Sequence, residues 1–168
     1  MCIRDSPQGT IYFEENDDVR SEIREPQRPA VQAELERLGI PFVEESNVVG
    51  GTPLNRDDVR GVVAGLPDLV LPNGSTYLGG SFADNLTSFG GDFTFPGQTK
   101  ATEFIAAGAA ASSGTVSEPG PLPLPELARR FPSADIFLFS EAGNTLGEAF
   151  YKSVETPDLI QFLSLIHI

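Results

Sequence analysis

The apolar positions of this chain fall into short runs divided by glycine, proline and charge, and their spacing changes from run to run. Thr10-Ile11-Tyr12-Phe13 follows Gly9 as a β-rich run and predicts a buried strand. Charge fills residues 14–29, closed by two prolines, so a loop or a single helical turn is expected there. Val31, Leu35 and Leu38 then recur at helical spacing over 30–38, with Gly39 as the C-terminal stop. Residues 40–44 give the next strand. Strand–helix–strand in this order favours a parallel α/β sheet.

Further along, Asn55 is placed as an N-cap, with Asp57 and Asp58 at the positive end of a helix dipole. The helix expected there buries Val59, Val62 and Val63 and ends at Gly65. Residues 69–71 or 75–78 supply another extended segment. Residues 79–97 are the least regular, with glycine pairs, small polar residues and four phenylalanines. Thr99 is expected to cap a helix carrying Ala101, Phe104 and Ile105, which Gly108 ends. The small residues of 109–116 suit a strand whose neighbours approach closely. Four prolines make 117–125 a loop. Residues 133–142 predict a helix. Thr145-Leu146-Gly147-Glu148 is a capping box opening another, which buries Leu146, Ala149, Phe150 and Val154 and stops at Pro157. Residues 158–162 begin a final strand.

Composition narrows the function classes. With 11 basic and 24 acidic residues among 168, the formal net charge is −13. Nucleic-acid binding, which needs clustered Lys and Arg to displace counterions, is excluded on that ground. No apolar run approaches the roughly 20 residues that span a bilayer. The termini change the picture further. Residues 1–6 back-translate to a stretch whose reverse complement, shifted by one base, encodes residues 163–168. That inverted repeat resembles the transposon mosaic end used in sequencing-library preparation, so both ends are set aside from the expected domain. The domain expected is then a single α/β fragment, 7–162, truncated at both ends. Cys2, His167 and Met1 are the only residues of their types and lie in those ends. A disulfide framework, a Cys or His zinc site and a Cys–His or Ser–His pair are therefore not expected within 7–162. No metal or cofactor is expected.

In open α/β sheets ligands bind beyond the carboxyl ends of the strands, and two loops qualify. In 79–91, Asp84, Asn85, Thr87 and Ser88 surround Gly90 and Gly91, whose lack of side chains lets backbone amides approach a ligand. The plainer alternative is that the glycines make turns and the polar residues cap a short helix over 83–89. In 108–118, Ser112, Ser113, Thr115 and Glu118 lie near a strand end. A serine nucleophile there would have only Lys100 or Lys152 as a base, and a tightly packed strand of small residues is favoured. A calcium site from Asp84, Asn85, Asp92 and Glu118 lacks the alternating spacing of an EF-hand. No glycine pair is followed by the Lys-Ser/Thr of a P-loop.

Four blocks carry a family resemblance: Gly9–Phe13 with 16–21, 86–91, 107–119, and 146–154. In that order they resemble an uncharacterised bacterial family found alongside exosortase protein-sorting systems, and more distantly the gingipain-type peptidases of the caspase–gingipain fold. The resemblance implies a three-layer parallel-sheet domain from an exported protein of the cell envelope or extracellular space. Gingipain-type peptidases place a histidine and a cysteine on loops after adjacent strands, here 79–91 and 108–118. Neither loop holds either residue, so no catalytic residue carries over. The expected function is a non-peptidase binding module with a loop-lined crevice and an unidentified ligand or protein partner. The alternative is a hydrolase of the same fold using Ser88, Ser112 or Asp84.

Overall fold

The computed structural model describes residues 9–156 and 161–165. The expected stop at Pro157 and the first residues of the final strand, 158–160, lie outside them, as do 1–6 and 166–168. The fold is a six-stranded sheet in the order β2-β1-β3-β4-β5-β6, flanked by helices. Its strands are β1 (Thr10–Glu15), β2 (Phe42–Ser46), β3 (Val59–Ala64), β4 (Tyr77–Asn85), β5 (Ala111–Thr115) and β6 (Gln161–Leu165). Neighbours from β2 through β5 run parallel. β6 pairs antiparallel with β5, so the sheet is mostly rather than wholly parallel. Its Leu163, Ser164 and Leu165 lie in the terminal repeat set aside above.

Two apolar clusters occupy the two faces. On one, Ile11, Phe13, Val63 and Phe82 pack against α2 (Arg28–Leu38), α5 (Asp135–Glu141) and α6 (Leu146–Ser153), which contribute Leu35, Ile136 and Phe150 among others. On the other, Tyr12, Val62, Tyr77 and Ala83 pack against Phe104 of α3 (Ala101–Ala106). This double covering explains why Ile11–Phe13 of β1 and Val62–Ala64 of β3 are uninterrupted apolar runs.

Several local expectations hold. Gly39 takes the left-handed conformation, φ 69°, that ends α2, and its N–H reaches the Leu35 and Glu36 carbonyls. Val31 and Leu35 are buried, whereas Leu38 is exposed. The capping box is present: Thr145 Oγ1 accepts from the Glu148 N–H at 3.2 Å, and the Glu148 carboxylate accepts from the Thr145 N–H at 2.9 Å. Thr145→Ala is expected to lower stability by about 1 kcal/mol in urea denaturation, the usual loss on removing an N-cap.

The helix expected over 55–65 is β3. Val59, Val62 and Val63 are β-branched and fit a pleated surface. Gly61 leaves room for the Phe137 ring, which a Cβ would meet at 2.3 Å. Asn55 sits in a turn with φ 53°, and Asp58 accepts from Thr10 Oγ1 at 2.6 Å and Tyr12 Oη at 2.9 Å instead of charging a helix start. The short helix over 83–89 is likewise absent, since Ala83–Asn85 complete β4. Residues 14–29 hold the end of β1, one helical turn α1 (Val19–Glu22) and a 3₁₀ turn (Glu25–Gln27). The proline loop is cut short by α4 (Leu124–Ala128). Thr99 does not cap α3; its hydroxyl accepts from the Leu69 N–H at 2.7 Å, and Lys100 stands at the N-cap.

Candidate functional site

The sheet order reverses direction between β1 and β3: the chain passes from β1 outward to β2, then returns to the other side. Ligands of open α/β sheets bind at such a point. A cleft opens there, lined by Phe13, Val63, Ala64, Ser21, Arg24 and Arg28, with about 390 Å³ of space that merges with solvent. Within it, about 20 Å³ is open to the centre of a water molecule, room for a single water.

One row of register partners crosses the sheet here: Phe13, Val63, Asp84 and Ser113. The first two are apolar, the last two polar. Asp84 Oδ1 accepts from Ser113 Oγ at 2.6 Å, and Oδ2 accepts from an Arg24 terminal nitrogen in a salt bridge. The Asp84 and Arg24 side chains are only 5% and 12% exposed, so the pair is desolvated. Arg24 Nε is buried with no acceptor.

The segment after β1 brings Arg24 into position. Asp18 caps α1 by accepting from the Arg20 N–H at 2.9 Å. Ser21 Oγ donates to the Glu14 carbonyl at 3.3 Å. α1 sits so close on the end of β3 that a Cβ at Gly65 would meet Arg20 and Ser21 backbone at 2.5 Å. Ile23, Leu86, Ala128 and Phe131 form a small apolar cluster beside it. Arg28, also 12% exposed, pairs with Glu44 at 2.6 Å and Glu15 at 3.5 Å.

The residues singled out from the sequence divide into three groups. Asp84 and Ser113 meet in the row just described. Ser88 Oγ donates to Glu118 at 3.1 Å on the outer rim, so those two loops do lie side by side. The others hold the structure together. Asn85 accepts from the Leu66 N–H and donates to the Leu66 carbonyl, at 3.0 and 2.8 Å, which uses its whole amide to clasp the turn after β3. The carbonyls of Thr87 and Ser88 both accept from Thr115 Oγ1 at 2.7 Å. Gly90 and Gly91 pack against Gly114, where a Cβ would meet Gly90 carbon at 2.3 Å. Ser112, a neighbour of Ser113 in a strand, points to the opposite face; its hydroxyl is buried without a partner.

A Ser–Lys arrangement is not formed. Lys100 Nζ donates to the Phe89 and Gly97 carbonyls at 2.8 and 2.9 Å, and Lys152 to Asn144 at 2.5 Å. Among the described residues no group of three or more His, Cys, Asp or Glu is placed to hold a metal ion. No described helix is long and apolar enough to cross a membrane. Arg24, Arg28 and Ser21 were not singled out from the sequence. With 59–64 taken as helix, the reversal between β1 and β3 has no place in the chain, so the charged stretch after β1 carries no signal. Comparison with protein-family models, curated proteins and solved structures returns no match.

Proposed function

We propose that the protein is a non-peptidase binding module whose site is the cleft between β1 and β3. The observation that carries the reading is Arg24: Asp84 fixes its terminal nitrogen while its Nε, buried in the cleft wall, lacks an acceptor. A buried donor without a partner costs about 1–3 kcal/mol, which an acceptor oxygen from a ligand relieves. The Arg28 guanidinium, held by Glu44 and Glu15, adds further donors beside it. The ligand class is a peptide presenting a carboxylate or carbonyl oxygen.

Calorimetry with three peptides of equal length, acidic, neutral and basic, tests this. The acidic peptide is expected to bind and the basic one not. Arg28→Gln is expected to weaken binding at least about tenfold, because a charge-assisted hydrogen bond is worth about 1.5–3 kcal/mol. Equal affinities for all three peptides would remove the reading.

The Ser113–Asp84 hydrogen bond favours a second reading, a hydrolase with serine as nucleophile. Against it, Asp84 is already held by Arg24 in a salt bridge, and Ser113 is buried. Mass spectrometry of the same peptides after incubation decides: cleavage that Ser113→Ala abolishes favours the hydrolase.

The fold is proposed to be of the caspase–gingipain type. Support comes from the mostly parallel sheet with helices on both faces and from the adjacency of the loops after β4 and β5. Export to the cell envelope or beyond rests on the exosortase-associated resemblance, and fractionation of cells making the tagged gene product tests it.

A further inference from the structure

Glu14 of β1 stands in register opposite Glu45 of β2, so both side chains leave the sheet on the same face. Glu14 is 5% exposed, and neither of its carboxylate oxygens accepts a hydrogen bond from a donor. The donors around it are committed elsewhere. Arg56, from the segment between β2 and β3, is bound to Glu45 and lies over the Tyr12 ring, 5.7 Å from its centroid. Tyr12 Oη donates to Asp58. Tyr77 of β4, which faces the same region, accepts from Asn73 Nδ2 at 3.4 Å and makes no hydrogen bond to Glu14. Two carboxylates share no hydrogen bond, but a carboxyl group and a carboxylate do.

We propose that Glu14 carries a proton in the folded protein, donates it to Glu45, and so latches the edge strand β2 onto β1. Among the described residues β2 has a neighbour on one side only, so this pair adds to the ladder with β1 and to the Arg28–Glu44 bridge that hold it. When the proton leaves, like charges face each other directly across the strand pair and push β2 off. The consequence reaches the cleft, because the residue before Glu45, Glu44, anchors Arg28. The latch is independent of the ligand chemistry proposed above.

Burial raises the Glu14 carboxyl from 4.5 to about 8; the Glu45 charge adds to the rise and Arg56 opposes it. The folded chain therefore holds one proton more than the unfolded chain between those values. The contribution is fully present below pH 4.5, falls as pH rises, and is gone once pH passes about 8. Burial also raises Tyr12 and Tyr77 to about 12, so both stay neutral throughout. The chain has one histidine and one cysteine, His167 and Cys2. With His167→Gln and Cys2→Ser in place, no other side chain of ordinary pKa titrates between pH 5.5 and 8.5.

In that background, thermal melting and amide exchange are followed from pH 5.5 to 8.5, with and without Glu14→Gln. The parent is expected to lose about 5–10 °C in Tm across the window. Its β2 amides should exchange at least about tenfold faster than base catalysis alone explains. With Glu14→Gln both pH effects are expected to vanish. A parent that melts at one temperature throughout, or a Glu14→Gln variant that keeps the slope, overturns the latch. So does a slope without faster exchange in β2. If Glu14→Gln does not fold, Glu45→Gln replaces it: a smaller pH drop supports the latch and an unchanged one overturns it.

Discussion

Asp84→Ala is expected to destabilise the protein by about 3–5 kcal/mol, the loss seen when one partner of a buried ion pair is removed. The Arg24 guanidinium would remain in the cleft wall with neither a terminal partner nor one for Nε, and Ser113 Oγ would lose its acceptor. The penalty lies mainly in the abandoned charge. Arg24→Met combined with Asp84→Leu should therefore recover most of it, since apolar replacements of similar volume avoid the desolvation of both ions. Urea denaturation of the single and double variants checks this. A double variant no better than Asp84→Ala alone would mean that the pair itself, not the unpaired arginine, sets the cost.

Gly114→Ala carries the second large effect. Gly114 lies in β5 where the loop after β4 folds back. A Cβ there would meet Gly90 carbon at 2.3 Å and Gly91 nitrogen at 2.5 Å, both backbone atoms. No side chain can swing aside, so β5 or the loop must move, and Gly91 N–H then loses its 2.8 Å bond to the Thr115 carbonyl. The expected cost is about 3 kcal/mol, the upper part of the range for overpacking. Gly79→Ala is the control: it lies in β4 with nothing within 4 Å of its Cβ position, and is expected to stay within about 0.5 kcal/mol of the parent. Equal losses at the two glycines would contradict the close approach.

Much of the framework is written in local patterns. The strand at Thr10–Phe13, the Gly39 stop and the Thr145–Glu148 capping box each depend on residues within a few positions, and each forms. Val59–Ala64 is harder because Val-x-x-Val-Val also fits one face of a helix. Tertiary contact decides it: β1 and β4 supply pairing on both sides, and Phe137 needs the gap at Gly61. The site was half legible. Asp84 and Ser113 come from loops and strand ends chosen by position, whereas Arg24 depends on knowing that β3 is a strand. The glycines of 90–91 were legible as close-approach positions, and the chain's own Gly114 packs against them. Glu14 was hidden for another reason. A single glutamate after an apolar run looks solvent-facing until its register with Glu45 is known.

The central claim is that ligand binds where the sheet order reverses between β1 and β3. Amide chemical-shift mapping of ¹⁵N-labelled protein during titration with the acidic peptide tests it most directly. The expected result is a set of shifts at Ser21, Arg24, Arg28, Ala64 and Asp84, with the outer loop around Phe93 and Phe95 unmoved. Shifts confined to that outer loop, or to the rim around Ser88 and Glu118, would contradict the claim and move the site away from the cleft.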